Sequence, residues 1–146
     1  MPVLAHARRL IGLLVLTFVV GAISGLGSWA LFESLDRATE TRLDHGWLVW
    51  LLPIAAGLLG AAYWKFGGPA TRGTSLVIAH ANGTESAGVP ARMAPMIFAA
   101  TFVAQLTGAS VGREGAALQI GGSVTALLAK PFRLRDDDRR LLTTAA

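Results

Sequence analysis

Long uncharged apolar stretches, separated by short charged ones, make up most of this chain. Leu10 to Phe32 runs 23 residues without a charge, Gly46 to Trp64 runs 19, Met93 to Gly112 runs 20 and Gly115 to Ala129 runs 15. A helix rises 1.5 Å per residue, so about 20 residues cross a hydrocarbon core of roughly 30 Å. The pattern predicts transmembrane helices at about 10–32, 46–64, 93–112 and 115–129, the last short for a full crossing. The first stretch is too long for a signal-peptide core of about 7–15 residues, and no small-residue cleavage site follows it cleanly. A fifth apolar piece, about 73–80, is far too short to span.

The basic residues fall at the ends of these stretches. Arg8 and Arg9 precede the first, Lys65 and Arg72 follow the second, and Arg92 precedes the third. Lys130, Arg133, Arg135, Arg139 and Arg140 follow the fourth. Lys and Arg concentrate on the cytoplasmic side, which predicts a cytoplasmic N-terminus and cytoplasmic 65–92 and 130–140 regions. The mixed-charge segment Glu33 to His45 is then an external loop. Residues 66–91 begin and end on one side, so the 73–80 piece is expected to dip in as a re-entrant helix. Non-helical backbone at membrane depth is tolerated only inside protein or along a cavity. A pathway near residues 70–75 follows.

Composition agrees with this picture and narrows it. The chain of 146 residues is 53% hydrophobic and 15% charged, with 17 glycines. A soluble domain carries about a quarter charged residues and roughly 7% glycine. Disorder and collagen are excluded. The net charge of +4 comes from helix-flanking residues, not from a nucleic-acid footprint. With no cysteine, disulfides, thiol catalysis and cysteine-ligated zinc are excluded. No Ser-His-Asp set, nucleotide loop or metal cluster is present, so an enzyme is not expected. Asp136-Asp137-Asp138 lies among arginines and reads as a solvated cytoplasmic loop. The expectation is an all-α membrane protein in a single partial transmembrane domain, 1–146.

Gly21 and Gly25, and Gly108 and Gly112, stand four apart, a spacing that lets helices approach closely in lipid. Trp47, Trp50 and Trp64 fall at the ends of the second stretch, where amphipathic rings sit at headgroup level. His6, His45 and the isolated His80 have no ligand-spaced companions.

Arg113 and Glu114 stand where charge is expensive. Ionisable residues inside a membrane segment are functional by default. Gly112 and Gly115 flank them and give the backbone freedom to turn. A helix starting near Gly115 points its free N–H groups and positive dipole end at whatever sits beside Glu114. This makes a site for an anion, or for the glutamate itself when no anion is present. A carboxylate that swings out or takes a proton would couple anion occupancy to protonation. Gly73-Thr74-Ser75 opens the short dip with two hydroxyls able to donate to an anion. Two half-helix starts facing one site is a recurring transporter design.

Gly112-Arg113-Glu114-Gly115-Ala116-Ala117-Leu118-Gln119-Ile120-Gly121-Gly122 resembles the GREGP-x-V-Q-I-G-G signature of the CLC family of chloride channels and anion/proton antiporters. Phe132-Arg133-Leu134 and the terminal Leu141 to Ala146 resemble it too. The resemblance implies two inverted repeats with the ion site between them, of which this chain carries most of the first. It implies Glu114 as gate and proton acceptor, supported by Arg113 and Gly112. It places an anion site at the N–H groups of Gly115, Ala116 and Ala117, together with Gly73, Thr74 and Ser75. Thr74 takes the place of the family's ion-coordinating serine. Ala116 replaces the signature proline and the G-S-G-I-P pattern is not kept. With Arg92-Met93-Ala94-Pro95, these departures look like the fluoride/proton branch, while the retained hydroxyl leaves chloride open. The expected partners are the lipid bilayer, a monovalent anion, a second repeat absent from this chain, and in the full-length protein a second copy in a homodimer. No nucleic acid and no cofactor are expected; fluoride or chloride and H+ are the transported ions. The expected location is a bacterial inner membrane. The chain reads as an N-terminal fragment, and the alternative is a non-transporting membrane subunit or remnant that only packs against partner helices.

Overall fold

A computed structural model describes residues 2–85, 88–129 and 136–145. Lys130, Arg133 and Arg135 of the basic cluster, the Phe132–Leu134 part of the resemblance, and Ala146 lie outside them. Six α-helices carry the described chain, and no strand occurs among the described residues: α1 (Pro2–Asp44), α2 (Leu52–Ala62), α3 (Thr74–Ala81), α4 (Met93–Leu106), α5 (Arg113–Ala129) and α6 (Asp136–Ala145). A 3-10 turn (Gly46–Leu51) leads into α2, and a π turn (Tyr63–Gly67) and a second 3-10 turn (Gly68–Arg72) lead out of it towards α3.

The segment α1 is 43 residues long, about 65 Å at 1.5 Å per residue. The apolar stretch 10–32 is only its middle. Glu33 to Asp44, expected as a loop, continues the helix. The reason is local: Arg37 donates to Glu33 four residues earlier at 2.9 Å, and the Ser34, Thr39 and Thr41 hydroxyls bond back to carbonyls one turn behind. Charges at helical spacing support a helix as readily as apolar residues do. Across the bundle, Gln105 of α4 donates to Thr39 at 2.9 Å, which fastens the extension to its neighbour.

One face of α1 is buried: Leu16, Val20, Ser24, Leu31, Leu35 and Ala38. The opposite face is bare, with Leu14 69% and Phe18 77% exposed. Lipid is the solvent that fits such a face. The stretches Leu10–Asp44 and Gly46–Ala81 are each long and apolar enough to cross a membrane. Trp50 and Trp64 are among the most exposed side chains, as interfacial anchors require.

The hub is α5, which packs against α1, α3, α4 and α6. Apart from Ile120, its buried residues are small or polar, including Ala116, Gly121, Gly122, Ser123 and Thr125. That composition lets neighbouring backbones come close. In each expected glycine pair, however, one member makes no close approach. A methyl group on Gly25 would meet nothing within 4 Å, because Gly25 faces outward. Gly108 has a φ of +97° and sits in a turn, where an added Cβ would stand 3.2 Å from Val49, and Gly112 faces open space. Gly27 and Gly122 serve instead: an added Cβ would stand 3.0 Å from Ile120 at Gly27 and 2.8 Å from Val77 at Gly122.

Three apolar clusters surround α5. Leu31 and Leu35 of α1 meet Ala116 and Ile120. Leu76 and Val77 of α3 meet Ala70, Val89 and Met93. Leu16 and Val20 meet Leu142 of α6. Asp136 to Asp138 are not a loop: they form the first turn of α6, and Asp138 is buried. Carboxylates are favoured at a helix N-terminus, where free N–H groups and the dipole meet them.

Candidate functional site

The short helix α3 and the hub α5 meet near their N-terminal ends. Gly73 precedes α3 with φ +56° and ψ −137°, a conformation open to glycine and costly for residues with a Cβ. That bend lets α3 start abruptly after the 3-10 turn. Its eight residues span about 12 Å, far less than a bilayer. No side chain caps α3, so the Thr74 and Ser75 amides stand outside the helical ladder.

On the other side, α4 ends at Leu106 and α5 begins at Arg113. The third apolar stretch is therefore helical over 93–106 and irregular from Thr107 to Gly112. The start of α5 is two residues earlier than expected. Its free first-turn amides are those of Arg113, Glu114 and Gly115, and the amides of Ala116 and Ala117 lie past them. Ala116 is buried against Leu31 and Leu35 of α1.

Thr74 is the joint between the two helices. Its hydroxyl donates to the Gly115 carbonyl at 3.5 Å and accepts from Gln119 Nε2 at 3.3 Å. Gly115 has to be small here, because an added Cβ would stand 3.2 Å from Thr74 Oγ1. Ser75, one step round the helix, is exposed. The structure thus brings Gly73, Thr74 and Gly115 together and leaves Ser75 turned outward.

Glu114 lies in the first turn of α5, exposed. Arg113 does not pair with it. Arg113 donates instead to Asp36 of α1 at 2.7 Å, both side chains being partly exposed. Among the described residues the Glu114 side chain makes no hydrogen bond or ion pair. The carboxylate thus stands without a partner beside the first-turn amides and the positive end of α5.

Two contributors were not singled out in the sequence. Gln119 is inside the quoted signature and is the one amide side chain between Gly115 and Ala129; its signal was a polar residue in a small-residue helix. Asp36 had no signal, since its partner lies 77 residues away. His80, at the far end of α3, lines a cavity of about 240 Å³ with Pro90, Gly122, Thr125 and Thr143. No group of His, Cys, Asp or Glu able to hold a metal occurs among the described residues.

The comparisons agree with this architecture. The family model described as voltage gated chloride channel matches residues 56–146. A chloride/fluoride channel protein of Pseudomonas syringae pv. tomato is 42% identical over 132 residues, covering 90% of this chain and 29% of that protein. The H(+)/Cl(-) exchange transporter ClcA of Vibrio vulnificus is 31% identical over 157 positions, covering 94% of this chain and 32% of that protein. No solved structure matches at a significant level. An all-α membrane fold with a broken helix pair at Thr74 and Gly115 defines the class, and the chain belongs to the voltage gated chloride channel, or CLC, family. It spans about a third of the length of the curated relatives it matches.

Proposed function

We propose that this chain contributes the first-repeat side of a pathway for a small monovalent anion, with Glu114 as gating and proton-accepting carboxylate. The observation that carries the reading is the meeting of α3 and α5 at Thr74, Gly115 and Gln119. In this reading the anion sits beside the free amides of Thr74, Ser75, Gly115 and Glu114. The Thr74 hydroxyl faces it, and the two half-helix dipoles favour its charge. When no anion is there, the Glu114 carboxylate takes its place. Protonation neutralises the carboxylate and releases it, so anion and proton move in exchange. Arg113, tied to Asp36, fixes the start of α5 and leaves the neighbouring Glu114 side chain free.

The anion is fluoride or chloride, in line with the names of the relatives, and no resident cofactor takes part. A second inverted repeat completes the pathway, and the protein works as a homodimer in a bacterial cytoplasmic membrane with its N-terminus inside. The test is flux from liposomes loaded with potassium fluoride or chloride, read with anion and pH electrodes. Wild-type protein moves anions and protons together. Glu114→Gln keeps anion movement and loses proton movement. Proton movement unchanged in Glu114→Gln removes Glu114 from the role, and absence of anion movement in wild type overturns the reading.

A further inference from the structure

We infer that Gln119 is a positioning residue that sets anion preference through Thr74, an inference that rests on the anion-pathway reading above. Gln119 is 7% exposed, and its amide lies over the bend at the start of α3. A Cβ on Gly73 would stand 3.7 Å from its Nε2 and 3.9 Å from its Oε1. The Nε2 donates to Thr74 Oγ1 at 3.3 Å.

A hydroxyl has one proton and two lone pairs. While Gln119 donates onto the oxygen, the Thr74 proton has to point elsewhere. Its present acceptor, the Gly115 carbonyl, lies at 3.5 Å, the long end of hydrogen bonding. That carbonyl is also the helical acceptor for the Gln119 backbone N–H four residues on. The Thr74 proton is therefore weakly held where α3 and α5 meet, and an anion arriving there takes it. Gln119 also strengthens this donor, because a hydroxyl that accepts a hydrogen bond donates a better one. One short directed hydrogen bond matters more to fluoride, with its high charge density, than to chloride, which spreads its charge over more donors. Gln119 thus tilts the site towards the smaller anion.

The test is titration of the intact protein in lipid nanodiscs with sodium fluoride and sodium chloride, followed by ¹⁹F and ³⁵Cl line broadening. Gln119→Leu removes the donor and weakens fluoride by up to roughly ten-fold, the upper scale of one hydrogen bond between neutral groups. Chloride weakens less. In a Thr74→Val background, Gln119→Leu has no further effect, because it acts through that hydroxyl. Gln119→Glu keeps the volume but replaces the donor by an acceptor, which turns the Thr74 proton away and loses fluoride at least as far. It decides the question should the leucine variant fail to fold. A fluoride-to-chloride ratio unchanged in the folded glutamate variant overturns the role of Gln119 and leaves the anion site standing. If wild-type protein binds neither ion, or Thr74→Val binds as wild type does, the site itself falls and the inference with it.

Discussion

Gly122 and Gly25 are both glycines in apolar helices, yet a methyl group means opposite things at the two positions. At Gly122 an added Cβ would stand 2.8 Å from Val77, so α3 or α5 has to shift. Gly122→Ala is expected to cost about 1–3 kcal/mol, the range for overpacking a close contact. Gly25 has open space around it, and Gly25→Ala should be neutral or gain up to about 1 kcal/mol of helix propensity. Thermal denaturation in detergent of the two variants side by side checks the contrast, and equal losses at both would contradict the packing described. Gly73→Ala acts differently, through backbone strain at φ +56° of about 1–3 kcal/mol. Its loss should be accompanied by weaker anion binding, since the bend sets where Thr74 begins. The four-residue glycine spacing pointed at Gly25 and Gly112, which meet nothing, for a physical reason. Spacing says that two glycines share a face, and not which face meets a neighbour.

Among the helices, the ones whose sequence carries its own ends were the most legible. The short α3 was readable from Gly73 and from the shortness of its apolar run, and α5 from Arg113 and Glu114 breaking two such runs. The continuation of α1 through Glu33–Asp44 was not. A charged segment between two apolar stretches suits a loop or an exposed helix equally; the Glu33–Arg37 spacing supports the helix locally, and the contacts that fasten it, Gln105 to Thr39 and Arg113 to Asp36, come from residues far away in sequence. The same holds for α6, whose three aspartates looked like a solvated run. Thr125 joins α5 to α6 by donating to the Leu142 carbonyl at 3.4 Å, besides the Gly121 carbonyl at 3.1 Å. Thr125→Val keeps the shape and removes the donor, so it should cost about 1 kcal/mol. Amide hydrogen exchange over 136–145 should quicken, and unchanged exchange there would show that apolar packing alone holds α6. The Arg113–Asp36 pair is partly exposed, and pairs of that kind contribute under about 1 kcal/mol. Its replacement should alter anion flux more than melting temperature.

For the whole molecule, the bilayer decides which surface is outside. The apolar faces of α1 and α2 are bare, with Trp64 87% exposed, and they need lipid or further helices to cover them. The basic flanks predict which end faces the cytoplasm. Alkaline phosphatase fused after Ala38 should be active in the periplasm, and after Gly83 inactive in the cytoplasm. The reverse pattern would invert the orientation and place Glu114 at the inner mouth.

The buried stripe of α1 has a further consequence. Leu16, Val20, Ser24, Gly27, Leu31, Leu35 and Ala38 follow one another by steps of four, four, three, four, four and three. That is an eleven-residue period, 3.67 residues per turn against the helix's own 3.6. The stripe therefore runs almost parallel to the axis, and α1 mates with its neighbours as a straight spline does with its slot. A single residue inserted after Gly25 would turn everything beyond it by about 100°. Leu31 and Leu35 would swing into lipid, and Asp36 would leave Arg113. The fit at one end of this helix thus fixes the rotation of the other, some tens of ångströms away.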